Sequence, residues 1–168
     1  LLDTLGWSKS AACWLARTFC LNGGLPQGAP TSPSLSNLVN RRLDTRANSL
    51  ACSLDATYTR YADDIVISFE TDDSASIAKC IRGVKEITND FGYRINHKKT
   101  AVIRSHQQQR VTGLVVNQKP SLSRKTRRKL RAVKHALKTG RKCSMTKAEL
   151  DGWLALQTMI EKQTVTRK

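Results

Sequence analysis

The sequence predicts an α+β fold, in which helices precede and follow one strong β-hairpin signal. The stretch TYTRYADDIVISF, residues 57–69, is β-branched and aromatic around two adjacent aspartates, as is typical of two strands joined by a turn. Apolar residues recur at helical spacing on both sides of it. From residue 123 the chain predicts helices that are rich in lysine and arginine. These observations favour a mixed part followed by a small helical part.

The first fifty residues predict two helices separated by a loop. Residues 1–22 predict a helix whose apolar face carries Leu5, Ala12, Leu15, Ala16 and Phe19. The stretch GGLPQGAPTSP, residues 23–33, contains three glycines and three prolines and predicts a loop. Ser32 is expected to cap the next helix, with Pro33 at its first position. That helix is expected to bury Leu35, Leu38, Val39, Leu43, Ala47 and Leu50.

The middle of the chain predicts the hairpin, a second amphipathic helix and short strands. Asp63 and Asp64 fall at or beside the hairpin turn. A helix over 74–90 is expected to end at Gly92. Its inward residues are expected to be Ile77, Cys80, Ile81, Val84 and Ile87. Short strands are expected at 93–95, 100–104 and 111–117.

The last third predicts two helices. SRKTRRKLRAVKHALKTG, residues 123–140, predicts a basic helix with a narrow apolar stripe (Leu130, Val133, Leu137) that ends at Gly140. Residues 146–149, TKAE, match a capping box, and the helix that follows is expected to bury Leu150, Trp153, Leu154 and Ile160. We expect a boundary near 117–120, which gives domains at 1–117 and 118–168.

The charge of the chain indicates a polyanionic partner. Its 29 basic and 13 acidic residues give a net charge of +16, with a sequence pI near 10.2. Residues 1–117 carry 14 basic and 10 acidic residues, net +4, whereas residues 118–168 carry 15 and 3, net +12. The positive excess therefore lies mostly in the last third, which indicates a separate basic module.

The five cysteines predict neither a zinc site nor disulfides. They form no CxxC pair, and with the three histidines they do not make a zinc-ligand spacing. Their odd number and the lack of a signal peptide predict reduced, mostly buried thiols in a cytoplasmic protein. Because no apolar run approaches the roughly 20 residues of a membrane span, we expect no membrane partner.

The acidic pair admits two interpretations. Two exposed aspartates in a polar turn need no partner other than solvent. Alternatively, Mg²⁺ prefers one or two carboxylates together with substrate phosphates and water. Two such ions can activate an attacking hydroxyl and stabilise a leaving pyrophosphate. The small Ala62 would leave room for a nucleotide beside Asp63 and Asp64.

Four motifs in order resemble those of reverse transcriptases. YADD at 61–64 resembles their catalytic Y-x-D-D hairpin, and LPQGAPTSP at 25–33 resembles their nucleotide- and template-positioning motif. FGYRINHKKT at 91–100 resembles the next palm motif, and VTGLVVN at 111–117 resembles the motif beside the primer grip. Bacterial retron enzymes are the most similar group, and group II intron maturases are the next. Antiviral defence is a common role in the retron family.

The resemblance implies a right-hand polymerase fold, with a partial palm (an antiparallel sheet with packed helices) followed by a small helical thumb. It implies Asp63 and Asp64 as Mg²⁺ ligands and catalytic residues. It also implies Lys99 as a catalytic group near the departing pyrophosphate, where it would help electrostatically or act as general acid, although an ordinary solvated lysine explains this residue equally well. Gln27, Gly28, Tyr61 and Ala62 would position the nucleotide and template. Val111, Thr112 and Gly113 would engage structured RNA. The implied partners are dNTPs, a structured RNA template or primer, and an RNA–DNA duplex.

The basic helix is a candidate phosphate-binding surface, although a solvated charged face explains the same residues. The candidate contacts are Arg124, Lys125, Arg127, Arg128, Arg131 and Lys134.

One catalytic element of the family is not found in this sequence. The fingers and the strand carrying the first catalytic aspartate would precede LPQG, where only Asp3 occurs. We therefore expect a two-metal site that lacks its third carboxylate, in a C-terminal portion of a polymerase that does not polymerise alone. The alternatives are an RNA-binding module without catalysis, a maturase-type reverse transcriptase, and an unrelated basic nucleic-acid-binding protein with an incidental acidic turn.

Overall fold

The computed structural model describes residues 6–165, and side-chain exposure for residues 6–163. Asp3 and Leu5 therefore lie outside the described residues. The chain divides into two compact units, of which the N-terminal unit ends at Thr100 and the C-terminal unit begins at Ala101. The division falls earlier than the change in charge predicts. Backbone hydrogen bonds between Val115 and Ser121, at 2.8 and 2.9 Å, join the segment around 110–117 to the chain that enters the basic helix.

Three helices precede the hairpin in the N-terminal unit: α1 (Lys9–Phe19), α2 (Ser32–Val39) and α3 (Arg41–Cys52). No side chain of α1 is buried, and Trp14 is 68% exposed, so the expected apolar face is only partly covered. The single helix predicted over 33–50 is wrong, because Asn40 separates α2 from α3 with φ −89° and ψ 4°. The Asn40 side chain donates to the Ser36 carbonyl at 2.9 Å, which satisfies the end of α2.

The predicted hairpin is confirmed, with β1 (Ala56–Tyr61) antiparallel to β2 (Asp64–Phe69). Tyr58 opposes Ile67, and Tyr61 opposes Asp64. Alternate residues of β1 are buried or half-buried, which follows from the period of two along a strand. Strand β1 thus has an inward face, to which Tyr58 and Arg60 contribute.

Helix α4 (Ser74–Asp90) completes the N-terminal unit. It ends as the sequence predicts: Gly92 has φ 78°, its N–H donates to the Asn89 carbonyl, and the Tyr93 N–H donates to the Thr88 carbonyl. A Cβ built at Gly83 would lie 2.6 Å from a methyl group of Leu50, so this glycine allows α3 and α4 to approach closely. The buried apolar residues of the unit are Leu43, Ala47, Ala51, Ala56, Cys80, Val84 and Ile87.

Several details of the N-terminal unit differ from the prediction. Ile81 is 41% exposed rather than inward, and the buried residues of α4 are Cys80, Val84, Ile87 and Thr88. The strands expected at 93–95 and 100–104 do not form. Among the five cysteines, which are all free, Cys80 is buried, whereas Cys13 and Cys52 are exposed.

The C-terminal unit contains a short hairpin and two helices. Strands β3 (Arg110–Val111) and β4 (Leu114–Val115) pair antiparallel and are shorter than the predicted strand at 111–117. Helices α5 (Arg124–Lys138) and α6 (Lys147–Val165) follow. The two helices share a core with Leu122, which lies just before α5. That core consists of Leu122, Leu130, Val133, Leu150 and Ile160.

The predicted end of α5 at Gly140 and the predicted capping box at 146–149 are confirmed, and the structure adds a cap at Ser123 that the sequence analysis did not identify. The Ser123 hydroxyl accepts from the Thr126 N–H at 3.1 Å, and Gly140, just beyond α5, has φ 68°. Glu149 accepts from the Thr146 N–H at 2.8 Å, and the Thr146 hydroxyl accepts from the Glu149 N–H at 3.2 Å, which completes the capping box. The first of these contacts lowers the pKa of Glu149. Across residues 6–165, none of the helices combines the length and the apolar character that a membrane span requires.

Candidate functional site

The two adjacent aspartates lie at the tip of the long hairpin. Because Tyr61 pairs with Asp64, the turn consists of Ala62 and Asp63 alone. Ala62 has φ 52°, a left-handed conformation that costs a non-glycine residue about 1–2 kcal/mol. The side chains of Asp63 and Asp64 are both exposed. The fold therefore exposes two carboxylates that are adjacent in sequence at the end of a strand pair.

Behind this turn, an arginine on β1 connects three elements. The Arg60 guanidinium donates to both oxygens of Asp44 on α3, with Nε–Oδ1 at 2.6 Å and Nη2–Oδ2 at 2.7 Å. It also donates from Nη1 to the Ala62 carbonyl at 2.8 Å and from Nη2 to Asn37 on α2 at 3.2 Å. The Tyr58 hydroxyl donates to Asp44 Oδ1 at 2.7 Å. We call these five residues the Arg60 cluster.

Electrostatics keep the central pair of the Arg60 cluster ionised. The hydrogen bond from Arg60 lowers the pKa of Asp44, and the bond from Tyr58 acts in the same direction against partial burial. The hydrogen bond to Asp44 raises the pKa of Arg60. Burial, reinforced by the hydrogen bond to Asp44, raises the pKa of Tyr58, so the phenol stays protonated.

The loop that carries Gln27 and Gly28 is attached to the start of α2. The Ser32 hydroxyl donates to the Pro26 carbonyl at 2.7 Å. The prediction that Ser32 caps α2 is therefore wrong: Thr31 is the N-cap residue, and Ser32 is the first residue of the helix. Gln27 is exposed, and Gly28 has φ 84° with open space around the position of a Cβ. The loop thus offers accessible backbone.

Lys99 lies in a turn that Asn96 organises. The Asn96 side-chain oxygen accepts from the Lys98 N–H at 3.0 Å, and the Asn96 backbone carbonyl accepts from the Lys99 N–H at 3.0 Å. These contacts replace the strand that the sequence predicts near residue 100, because an asparagine side chain competes with strand pairing for backbone donors. The Lys99 side chain is exposed.

The structure joins some of the predicted site residues indirectly. Arg60 links the acidic turn to α2, whose first residue, Ser32, contacts the loop that carries Gln27. In the described part of the chain, no hydrogen bond or ion pair is recorded from Gln27, Gly28 or Lys99 to the turn itself. Residues 6–165 also contain no cluster of three or more histidine, cysteine, aspartate or glutamate side chains that would hold a metal. Two adjacent carboxylates nevertheless fit Mg²⁺ when phosphates and water supply the remaining oxygens.

A second turn, in the C-terminal unit, presents Val111, Thr112 and Gly113. Thr112 has φ 47° and Gly113 has φ 86°, the pattern of a two-residue hairpin turn of type I′. Asn117 holds the chain beside it: its side chain accepts from the Gln109 N–H at 2.9 Å and donates to the Gln107 carbonyl at 2.7 Å. Thr112 and Gly113 are exposed, whereas Val111 is half-buried.

The basic surface of the C-terminal unit is helix α5. It contains eight lysines and arginines and no acidic residue. All six predicted contact residues are exposed. A shallow groove runs between α5 and α6, where Arg124, Arg127, Arg131 and Lys134 lie beside Leu154 and Gln157. A second depression on α5 is lined by Arg124, Lys125, Arg128, Arg131, Ala132 and His135. The charges thus cover more than one side of the helix.

Sequence reasoning missed the residues that shape these turns. The alternation along β1 could have indicated Arg60, because a charged residue at an inward position of a strand requires a partner of opposite charge, here Asp44. Asn96 and Asn117 occur within the quoted motifs, but only the structure shows that their side chains hold the backbone.

Comparisons with known proteins agree on one family. The family model for reverse transcriptase (RNA-dependent DNA polymerase) matches residues 6–145. Retron Mx65 reverse transcriptase of Myxococcus xanthus is 40% identical over 141 residues, 84% of this chain and 33% of that protein. Retron Ec86 reverse transcriptase of Escherichia coli is 32% identical over 168 residues, 99% of this chain and 51% of that protein. Retron Mx162 reverse transcriptase of Myxococcus xanthus is 40% identical over 131 residues, 70% of this chain and 27% of that protein.

The chain spans between 27% and 51% of the length of these three relatives. The match to the family model covers most of the chain and includes the acidic turn, the Gln27 loop and helix α5. The resemblance that the four motifs indicate is thereby confirmed, and the chain belongs to the reverse transcriptase family.

Proposed function

We propose that this chain supplies the acidic turn and an RNA-binding surface of an RNA-directed DNA polymerase, which extends a primer with dNTPs on an RNA template. The observation that carries the proposal is the two-residue turn that exposes Asp63 and Asp64 at the end of a restrained hairpin. The three relatives described above are all retron reverse transcriptases, which favours the retron type over the maturase type.

In this proposal Asp63 and Asp64 are the chain's Mg²⁺ ligands. Bound Mg²⁺ would activate the primer 3′-hydroxyl and neutralise charge on the transferred phosphate. The contribution of the chain is to carry two adjacent carboxylates on one turn, exposed enough for nucleotide phosphates to complete the coordination. Tyr61, 71% exposed, and Ala62 would lie against the nucleotide or primer end.

Other exposed groups would position the substrates. The open backbone at Gly28 suits close approach of a nucleotide, and the Gln27 side chain would contact the nucleotide or the templating base. Lys99 would place a positive charge near the departing pyrophosphate. These roles are supported by the family motifs and by the exposure of the residues.

The C-terminal unit would bind the nucleic acid. Arg124, Lys125, Arg127, Arg128, Arg131 and Lys134 would contact phosphates of an RNA–DNA duplex, and Val111, Thr112 and Gly113 would engage structured RNA. In polymerase terms, residues 1–117 would form part of the palm and residues 118–168 the thumb. The density of positive charge on α5 supports this assignment.

We also propose that the chain alone does not polymerise. A two-metal site requires a further carboxylate to hold both ions, and the described residues bring no third acidic side chain to the turn. Loss of one member of a group that acts in concert costs orders of magnitude in rate.

The test is Mg²⁺-dependent dNTP incorporation on a primed RNA template. The chain alone is compared with a chimera that adds the segment of retron Ec86 reverse transcriptase that the chain does not span. Asp63→Asn is made in each, and Asp72→Asn, an exposed acidic residue beyond β2, is the matched control. We expect incorporation by the chimera, its loss in Asp63→Asn, and retention in Asp72→Asn. An active Asp63→Asn chimera contradicts the catalytic role, and incorporation by the chain alone contradicts its incompleteness.

A second candidate function is RNA binding without catalysis. The uninterrupted positive charge of α5 favours it independently of the acidic turn. A chimera that binds RNA but incorporates no nucleotide, with or without Asp63→Asn, would support this function over polymerisation.

A further inference from the structure

The acidic turn is held from behind through one backbone carbonyl. Arg60 Nη1 donates to the Ala62 carbonyl, which belongs to the peptide bond directly before Asp63. Nε and Nη2 of the same guanidinium donate to Asp44 and Asn37, which lie on two different helices. A planar guanidinium presents its donors in a rigid fork, so fixing part of the fork on Asp44 also fixes the direction of Nη1.

The ion pair at the centre of the Arg60 cluster is largely shielded from solvent. The Arg60 side chain is 6% exposed and that of Asp44 is 29% exposed, so solvent weakens their ion pair far less than it weakens a surface pair. Tyr58 donates a further hydrogen bond to the same carboxylate. The pair carries no net charge, so it can restrain the turn without adding a positive charge that would repel a cation at Asp63 and Asp64.

The turn is a place where restraint is needed. Ala62 adopts a left-handed conformation that is unfavourable for a residue with a side chain, and such conformations persist only where the surroundings enforce them. Two adjacent carboxylates repel one another before a cation arrives. Both effects favour alternative turn geometries, and the hydrogen bond from Arg60 to Ala62 opposes them.

We propose that Arg60, oriented by Asp44, is a positioning residue that holds the Ala62–Asp63 turn in the geometry in which the two carboxylates share one divalent cation. This inference rests on the proposed function of the turn. It adds a role for two residues that do not themselves contact the metal or the substrate.

The test uses the 168-residue chain labelled with ¹⁵N, and Mn²⁺ as the probe ion. Arg60→Lys keeps the charge and can still pair with Asp44, but a lysine cannot also reach the Ala62 carbonyl with fork geometry. Asp44→Asn, nearly isosteric, is the second variant and decides the question if Arg60→Lys does not fold. The matched controls are Arg46→Lys and Asp90→Asn, which weaken the 2.8 Å ion pair between α3 and α4.

Two measurements are made on each variant. Backbone order parameters of the Ala62 and Asp63 amides report the restraint, and paramagnetic broadening of the Tyr61–Asp64 signals during Mn²⁺ titration reports the affinity of the turn. We expect both turn variants to lower the order parameters from about 0.85 toward 0.6 and to weaken Mn²⁺ binding at least threefold. The two controls should leave both quantities unchanged, even where they lower overall stability.

Order parameters and Mn²⁺ affinity that stay at wild-type values in the turn variants would overturn the proposal, as would equal losses in the controls. The wild-type chain separates this inference from the proposed function. If Mn²⁺ at millimolar concentration broadens no signal of the wild-type turn, the metal site is contradicted, whereas the order parameters still decide whether Arg60 restrains the turn.

Discussion

The hydroxyl of Tyr58 donates a 2.7 Å hydrogen bond to Asp44 Oδ1, the same oxygen that receives Arg60 Nε at 2.6 Å. A phenol and a guanidinium thus donate to the same carboxylate oxygen. Loss of either hydrogen bond should make the Asp44 side chain less well fixed and so weaken the other hydrogen bond. This arrangement should make the stability of the hairpin sensitive to pH in an alkaline range through Tyr58 and in an acid range through Asp44.

Alkaline destabilisation should depend on Tyr58. Its pKa is raised in the folded chain, so the folded chain binds the phenolic proton more tightly than the unfolded chain does. The resulting stabilisation is complete below the unfolded pKa of about 10 and is lost as pH rises above it. Tyr58→Phe should lower the free energy of unfolding by about 1 kcal/mol at pH 7 and flatten its decline above pH 10. Denaturant unfolding from pH 7 to 11 checks this.

Tyr93→Phe is the control for this prediction, because Tyr93 is 45% exposed. It should leave the free energy of unfolding at pH 7 unchanged, because an exposed phenol loses little when its hydroxyl is removed. An unchanged alkaline slope in Tyr58→Phe would show that the phenol does not contribute.

Acid destabilisation should depend on Asp44. Its pKa is lowered in the folded chain, so its contribution is present above the unfolded pKa of about 3.9 and is lost as pH falls through the lower, folded value. Asp44→Asn should cost about 2 kcal/mol at pH 7, since hydrogen bonds to a charged group are lost. The difference between wild type and variant should shrink below pH 4. A difference that stays constant to pH 2 would contradict the assignment.

Strain at Thr112 should be removable. A β-branched residue at φ 47° is unfavourable, whereas asparagine tolerates this conformation and precedes glycine in many two-residue hairpin turns. Thr112→Asn should raise the free energy of unfolding by about 0.5–1 kcal/mol, while the β-branched Thr112→Val should give no gain. If the turn engages RNA, Thr112→Asn should bind structured RNA more weakly despite its greater stability. Equal stability of Thr112→Asn and Thr112→Val would contradict the strain argument.

RNA binding should be strongly salt-dependent through α5. If six phosphates are neutralised, affinity should fall about a thousandfold between 50 and 200 mM salt. The triple variant Arg124→Gln, Arg127→Gln, Arg131→Gln should reduce the slope of log K against log salt by about 2–3. Fluorescence anisotropy with a labelled RNA–DNA duplex measures both quantities.

The matched control removes three charges from exposed positions of α4, with glutamine at Lys79, Arg82 and Lys85. Its salt slope should equal that of the wild type. Equal reductions in the two triple variants would mean that net charge, rather than the surface of α5, governs binding.

Much of the fold could be predicted where a local signal and the tertiary contacts agree. The hairpin at 57–69 and helix α4 with its end at Gly92 follow from side-chain periodicity and turn chemistry. The same holds for the capping box at Thr146. In each case the turn or cap that determines the structure is formed by residues within five positions of one another, so the local sequence contains the interaction.

The remaining features depend on contacts that are distant in sequence or on a choice between hydrogen-bond partners. The Ser32 hydroxyl could have capped α2, but it donates to the Pro26 carbonyl instead. Asn40 ends α2, and no glycine or proline marks the break in the sequence. Arg60 and Asp44 are 16 positions apart, and no local pattern pairs them. For the candidate site, the motifs identified the exposed groups, whereas the structure identified the residues that support them.

The pairing of Tyr61 with Asp64 has a consequence for how this hairpin can vary. Side chains alternate between the two faces of a strand, so inserting or deleting one residue in β1 would exchange the faces. Tyr58 and Arg60 would then point to solvent, and Thr57 and Thr59 would take the inward positions. Substitutions on the outer face would leave this alternation intact. The hairpin is therefore expected to tolerate substitutions on its outer face but not changes in its length. Insertions in related sequences should lie outside it.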